Sequence, residues 1–183
     1  MSSTRAQALS LVLGDQSAFS RQLVRSALGG FGMRRIEDCR DGFEVIEAVT
    51  RNPPGVVLID QDLPGLDAAE VTRMLRRQAH TAMVPVVVMS GAPSRGVVLA
   101  TILAGAYEFV AKPFSARTLF DRVSRAGLVP RNFIRTKTFF GPAPYDPALR
   151  ASLEAQAREL TSDAVPGIDE AFAPTPAREL VAI

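Results

Sequence analysis

The sequence predicts an α/β fold built on a five-stranded, parallel, doubly wound sheet, followed by a C-terminal extension. Three observations predict it. Short β-branched or apolar runs at 56–60, 84–90 and 107–112 each end abruptly in a polar residue, Asp60, Ser90 or Lys112, which is how strands buried on both faces read. Stretches with helical spacing alternate with these runs. The links between them are short, so the crossovers are right-handed and the carboxyl ends of the strands share one crevice.

Taken in order, a weaker strand at 9–15 ends in Asp15, and a helix follows with Phe19, Leu23, Ala27 and Leu28 on its apolar side. After Gly29-Gly30 a strand at 33–39 is needed to reach a helix beginning near Gly42; its polar composition places it at a sheet edge. The strand at 56–60 leads to Asp67-Ala68-Ala69-Glu70, a capping box in which the acid at the third helical position reaches back to the cap amide. That helix begins at residue 68 and carries the stripe Val71, Met74, Leu75 and Gln78. The strands at 84–90 and 107–112 follow, and Leu119, Val123 and Ala126 mark the next helix.

After Gly127 the pattern changes. Pro130, Pro142, Pro144 and Pro147 interrupt the chain and no further strand alternation is visible. The boundaries are therefore 8–127 for the α/β domain and 128–183 for the extension. Asp146-Pro147 makes a helix start, and Leu149, Leu153, Ala157 and Leu160 form a narrow apolar stripe, so a helix is expected at 147–161. It either folds back on its own domain or enters a partner's groove. Residues 162–183, rich in Pro, Ala, Asp, Glu and Thr, are expected to be disordered.

Composition sets the outer limits. With 183 residues and 47% hydrophobic content, the chain can bury one ordinary core plus an appendage. Its 21 basic and 19 acidic residues leave a formal charge of +2, too even a balance to make nucleic acid the default partner. Cys39 is the single cysteine, which excludes an internal disulfide or a cysteine-based metal cluster and suits a reducing compartment. The N-terminal apolar run is brief and ends at Asp15, unlike a secretory signal, and no window approaches the roughly 18 apolar residues of a membrane span. A soluble, cytoplasmic protein is expected. His80 has no partner set for a metal or a triad, and Arg73, Arg76 and Arg77 read as the solvated face of one helix. The segment 131–142 mixes cations with aromatics, a pattern suited to single-stranded nucleic acid, but it is short and lightly charged. Its expected role is to lay Phe133, Phe139 or Phe140 against the α/β domain or a partner.

The chemistry lies at the strand ends. Asp15, Asp60, Ser90 and Lys112 are far apart in sequence yet meet in the crevice of a parallel sheet. A carboxylate can attack phosphorus, but nearby carboxylates repel a phosphoryl dianion unless a cation such as Mg²⁺ neutralises them. An ammonium and a hydroxyl can hold the remaining oxygens.

These residues resemble the receiver domains of two-component response regulators, typified by the chemotaxis protein CheY. The matching pieces are Asp15-Gln16-Ser17-Ala18-Phe19 with Arg21, the run from Val57 through Asp60-Gln61-Asp62-Leu63-Pro64-Gly65, Pro85 through Met89-Ser90-Gly91, Ala104-Gly105-Ala106, and Phe109-Val110-Ala111-Lys112-Pro113-Phe114. The resemblance covers about 8–127 and implies a flavodoxin-like, CheY-like fold. It implies Asp60 as acceptor of a phosphoryl group from a histidine kinase or a histidine phosphotransfer protein. Asp15 and Asp60, with the backbone carbonyl of Asp62, would hold Mg²⁺. Ser90 and Lys112 would bind the phosphoryl oxygens, Phe109 would be the aromatic switch, and Lys112-Pro113 would be a cis peptide. One position departs from the family: Gln16 replaces the second of two adjacent acids, so the site loses a charge that attracts the cation. The expectation is weaker Mg²⁺ binding, with the Asp62 carboxylate restoring charge.

The function implied is a non-enzymatic, phospho-accepting, single-domain response regulator in a bacterial phosphorelay, signalling by altered binding to a downstream protein. No helix-turn-helix, phosphate loop or metal cluster follows residue 127; homodimerisation is compatible with the reading. The alternative is a degenerate receiver acting as a phosphorylation-independent interaction module, motivated by Gln16. A third reading, a phosphatase of the haloacid-dehalogenase type, takes Asp60-Gln61-Asp62 as its Asp-x-Asp pair but lacks the acidic pair that should follow Lys112.

Overall fold

The computed structural model describes residues 2–162. Its first elements are α1 (Ser2–Gln7), β1 (Ser10–Gly14), α2 (Ala18–Gly29), β2 (Arg35–Cys39), α3 (Gly42–Arg51), β3 (Val56–Asp60) and α4 (Ala68–Arg77). They are followed by β4 (Val86–Ser90), α5 (Arg95–Leu103), β5 (Glu108–Ala111), α6 (Ala116–Leu128), β6 (Phe133–Arg135), β7 (Phe140–Pro142) and α7 (Pro147–Ser162). The first five strands form one parallel sheet in the order β2-β1-β3-β4-β5. The polar strand is at an edge, as its composition requires.

Alternation along the strands builds a core on each face of the sheet. Leu11, Leu13, Leu58, Val87 and Met89 pack with Val24 and Leu28 of α2 and with Leu119 and Val123 of α6. Val12, Val57, Ile59, Val86 and Val88 pack with Val45 and Val49 of α3 and with Val71 and Leu75 of α4. The capping box at α4 is formed, Asp67 accepting from the Glu70 amide at 2.8 Å and Glu70 accepting from the Asp67 amide at 2.9 Å. No described helix is long and apolar enough to cross a membrane.

Four features differ from the sequence reading. Phe19 and Leu23 of α2 are 71% and 55% exposed; the inward line of the helix runs through Val24 and Leu28, and the line through residues 19 and 23 is turned about 100° from it. Arg76 is not on a solvated face: only 6% exposed, it donates through Nη1 to the carbonyls of Ala82 and Val84 and through Nε and Nη2 to that of Gly105, at 2.8–3.0 Å. The short α1 was unforeseen, and its Ala6 joins the core. Finally, strands do continue past residue 127, as an antiparallel hairpin of β6 and β7 with Ile134 opposite Gly141. Three-residue strands are too short to show a period.

The hairpin carries a satellite core of Ile134, Phe139 and Leu153, joined by Leu149 and Ala157 of α7. The C-terminal helix thus folds back on its own chain, its start capped by Asp146, whose carboxylate accepts from the Leu149 amide at 2.7 Å. Ser162 ends this helix; the stretch expected to be disordered, from about residue 162, falls on 163–183, which lie outside the described residues.

The hairpin seats on the amino ends of β4 and β5. Phe133 lies against Tyr107 and Phe140 with ring centroids 5.9 and 5.3 Å apart. Arg131 donates to the carbonyls of Tyr107 and Ala143. The seat depends on glycine: Gly105 has φ +98°, and a Cβ there would come within 2.7 Å of the Phe140 carbonyl oxygen.

Candidate functional site

Parallel strands deliver their last residues to one end of the sheet, where Asp15 follows β1, Asp60 ends β3, Ser90 ends β4 and Lys112 follows β5. The Lys112 ammonium lies between two carboxylates, 2.5 Å from Asp60 Oδ1 and 3.1 Å from Asp15 Oδ2. Residues 52 and 97 positions apart in sequence from Lys112 are thereby in contact. Burial on its own lowers the lysine's pKa, but the hydrogen bonds and charges of Asp60 and Asp15 outweigh it, and the pKa ends above its ordinary value.

The two carboxylates differ in freedom. Asp15 has a side chain only 3% exposed; Oδ1 accepts from the Ser17 amide at 2.9 Å and Oδ2 from the Ser20 hydroxyl at 2.5 Å. Its carbonyl accepts from Arg21 at 2.6 Å. Asp60 is 14% exposed, and its other contact is a long one, 3.4 Å, from the Asp62 amide to Oδ2. Asp15 is fixed while Asp60 keeps an open edge.

Ser90 is buried, and its hydroxyl oxygen accepts from the Ala92 amide at 3.2 Å, which leaves the hydroxyl proton available to donate. The Ser90 carbonyl accepts from the Lys112 amide at 2.7 Å, and the Lys112-Pro113 peptide is cis. Phe109 is half-buried against the α3–α4 core. Gln16 and Asp62 are exposed. No group of three His, Cys, Asp or Glu side chains that could hold a metal occurs among the described residues.

Three neighbours were not singled out from sequence. The Ser20 hydroxyl bonds Asp15, and its place in the first turn of α2 was the only available signal. Arg21, noted only as part of a motif, bonds the Asp15 carbonyl and pairs with Asp38 at 3.5 Å. The buried Thr101 hydroxyl of α5 donates to the Gln61 side-chain oxygen at 3.2 Å, joining that helix to the residue after Asp60. Cys39 at the end of β2 is buried, and burial first, then the acids Glu37, Glu44, Asp38 and Asp41, push its thiol up to about 12.

Asp15 and Asp60, already bridged by one positive charge, are carboxylates of the kind that could hold a hard divalent cation. Two carboxylates rather than three hold such an ion less tightly.

The profile of the response regulator receiver domain matches residues 11–124. The C4-dicarboxylate transport transcriptional regulatory protein DctD of Pseudomonas aeruginosa is 31% identical over 128 residues, 70% of this chain and 27% of its own. The response regulator MprA of Mycobacterium sp. (strain KMS) is 30% identical over 154 residues, 82% of this chain and 62% of its own. The chain thus spans less than two thirds of either relative. Among solved structures, the receiver domain of the sensor histidine kinase PA1611 from Pseudomonas aeruginosa, with a magnesium ion coordinated in its active-site cleft, has the same fold. It matches with a TM-score of 0.60 at 24% identity, over 64% of this chain and 96% of that one.

Proposed function

The chain belongs to the response regulator receiver domain family, and on that premise we propose that it accepts a phosphoryl group on Asp60 and signals through altered protein binding rather than through turnover. The donor is a histidine kinase or a histidine phosphotransfer protein. The observation that carries this reading is the meeting of Asp60, Asp15 and Lys112 at the strand ends, with Asp60 the more accessible acid.

In the transfer, an Asp60 oxygen attacks phosphorus, the phosphorus–nitrogen bond of the donor imidazole breaks, and its electron pair stays on the nitrogen. Lys112 leaves its carboxylate contact to follow a phosphoryl oxygen, and the Ser90 hydroxyl donates to another. Asp15, Asp60, the Asp62 carbonyl and, more weakly, Gln16 would hold Mg²⁺, which would supply the charge that lets a dianion approach these acids. Phe109 and the Thr101–Gln61 contact connect the site to α5 and β5, the surface whose binding changes. The donor docks on α2: exposed Leu23 lines an apolar groove of about 360 Å³ with Lys112, Pro113 and Phe114, and Phe19, one turn earlier on the helix, is exposed as well.

Gln16 favours a second reading, a receiver that binds partners without taking phosphate. Incubation with a labelled small phosphodonor and Mg²⁺ separates the two. The first reading expects stoichiometric label that Asp60→Asn abolishes; the second expects no label and unchanged partner binding in Asp60→Asn.

A further inference from the structure

The amino end of the sheet gathers positive charge that phosphoryl transfer at Asp60 does not use. A cleft of about 460 Å³ opens between α4, the end of α5 and the hairpin, and its lining includes Arg73, Arg77, Arg135 and Lys137 together with the buried Arg76. Among the described residues no Asp or Glu lines it. Several arginines elsewhere on the described surface sit beside acids, Arg40 with Glu44, Arg51 with Glu37, Arg117 with Asp121 and Arg122 with Glu108, while the exposed Arg34 and Arg35 at β2 stand apart from the exposed Arg95 of α5 rather than around one cleft. Among the described residues Arg73, Arg77 and Lys137 belong to no ion pair.

Such an arrangement is unfavourable without a counter-charge. Arg73 and Arg77 stand four apart on one helix, where like charges repel; the helix dipole favours a cation in the last turn, at Arg77, but does not account for Arg73 or Lys137. Lys137 is held opposite them by a fixed turn: the Thr136 amide donates to the Phe139 carbonyl at 2.8 Å, and the Thr136 hydroxyl oxygen accepts from the amides of Thr138 and Phe139 at 3.2 and 2.9 Å. Guanidinium forks match phosphate oxygens in pairs, and an ammonium adds a point charge. The volume is that of a small-ligand site. A nucleic-acid strand needs a continuous basic track, and the balance of 21 basic to 19 acidic residues leaves little charge to extend one.

We propose that this cleft binds a small anion carrying two or more phosphoryl groups, gripped between Arg73 and Arg77 of α4 and Lys137 of the hairpin. One wall belongs to the receiver and the other to the extension, so neither part alone forms the site.

The test is calorimetric titration of the whole chain with tripolyphosphate, without added metal so that Asp15 and Asp60 repel the probe. The expected result is saturable one-to-one binding that weakens as ionic strength rises from low to physiological. Lys137→Gln, and the pair Arg73→Gln with Arg77→Gln, should each weaken it by at least about tenfold, the loss of a charge-assisted hydrogen bond. Arg117→Gln, an equal change of charge on α6, should leave it unaltered. Absence of saturable binding overturns the proposal, as does an equal loss in Arg117→Gln. Tighter, Lys137-dependent binding of a single-stranded oligonucleotide that displaces tripolyphosphate would replace it with a nucleic-acid surface.

Discussion

The two ends of one sheet solve opposite electrostatic problems. At the carboxyl end, the carboxylates of Asp15 and Asp60 share the Lys112 ammonium; at the amino end, the buried Arg76 guanidinium is shared by the carbonyls of Ala82, Val84 and Gly105. Burial disfavours the charged form at both ends: helped by the surrounding acids it pushes the Cys39 thiol up to about 12, and it pushes Arg76 down to about 10, still charged at neutral pH. The difference lies in what neutralises the charge. A lysine side chain can exchange one partner for another, so the carboxyl end can react; backbone carbonyls cannot, so the amino end is fixed and holds the extension in place.

Substitution at Arg76 should break the comparison hardest. Arg76→Met leaves three buried carbonyls without a donor, and at about 1–3 kcal/mol for each unsatisfied group the expected loss is about 3 kcal/mol or more. Urea denaturation would measure it, and the phosphoryl site, at the other end of the sheet, should keep its labelling while the protein remains folded. At the carboxyl end the effect is reversed: Lys112→Gln should slow phosphoryl uptake by about 10²–10³, the cost of one lost charged donor, with much less change in the urea midpoint.

A smaller effect is expected at the contact between receiver and extension. Gly105→Ala meets a left-handed backbone, costing about 1–2 kcal/mol, and a close Phe140 carbonyl. Hydrogen exchange should show the Thr136 amide losing protection while those of β3 keep theirs. Smallest is the thiol. Below pH 9 Cys39 is protonated in both folded and unfolded chains; between its unfolded pKa of 9.0 and its folded pKa of about 12, only the unfolded chain releases the proton. Stability should therefore fall as pH rises through that window. Cys39→Ala should flatten the fall, which urea midpoints across the range would register.

The same contrast explains what was legible in the sequence. Asp60, Ser90 and Lys112 announce themselves because each ends an apolar run, and a parallel sheet leaves such residues nowhere else to go. The Asp67–Glu70 capping box was equally readable, being local. The amino end left no comparable trace. Arg76 looks like its exposed neighbours Arg73 and Arg77, because its partners are loop carbonyls with no side-chain signature. The strands Phe133–Arg135 and Phe140–Pro142 are too short to alternate, and what stabilises them, the contact with Leu153 and the seat on Gly105, is tertiary. The exposure of Phe19 and Leu23 depends on how α2 is rotated, which an apolar stripe does not specify.

The central claim is that the open carboxylate at the carboxyl end is the reactive one. Intact-mass measurement after incubation with a small phosphodonor and Mg²⁺, wild type beside Asp60→Asn, tests it most directly. A single phosphoryl increment in the wild type and none in the variant is the expected result. An unmodified wild type, or the same increment in both proteins, would contradict it.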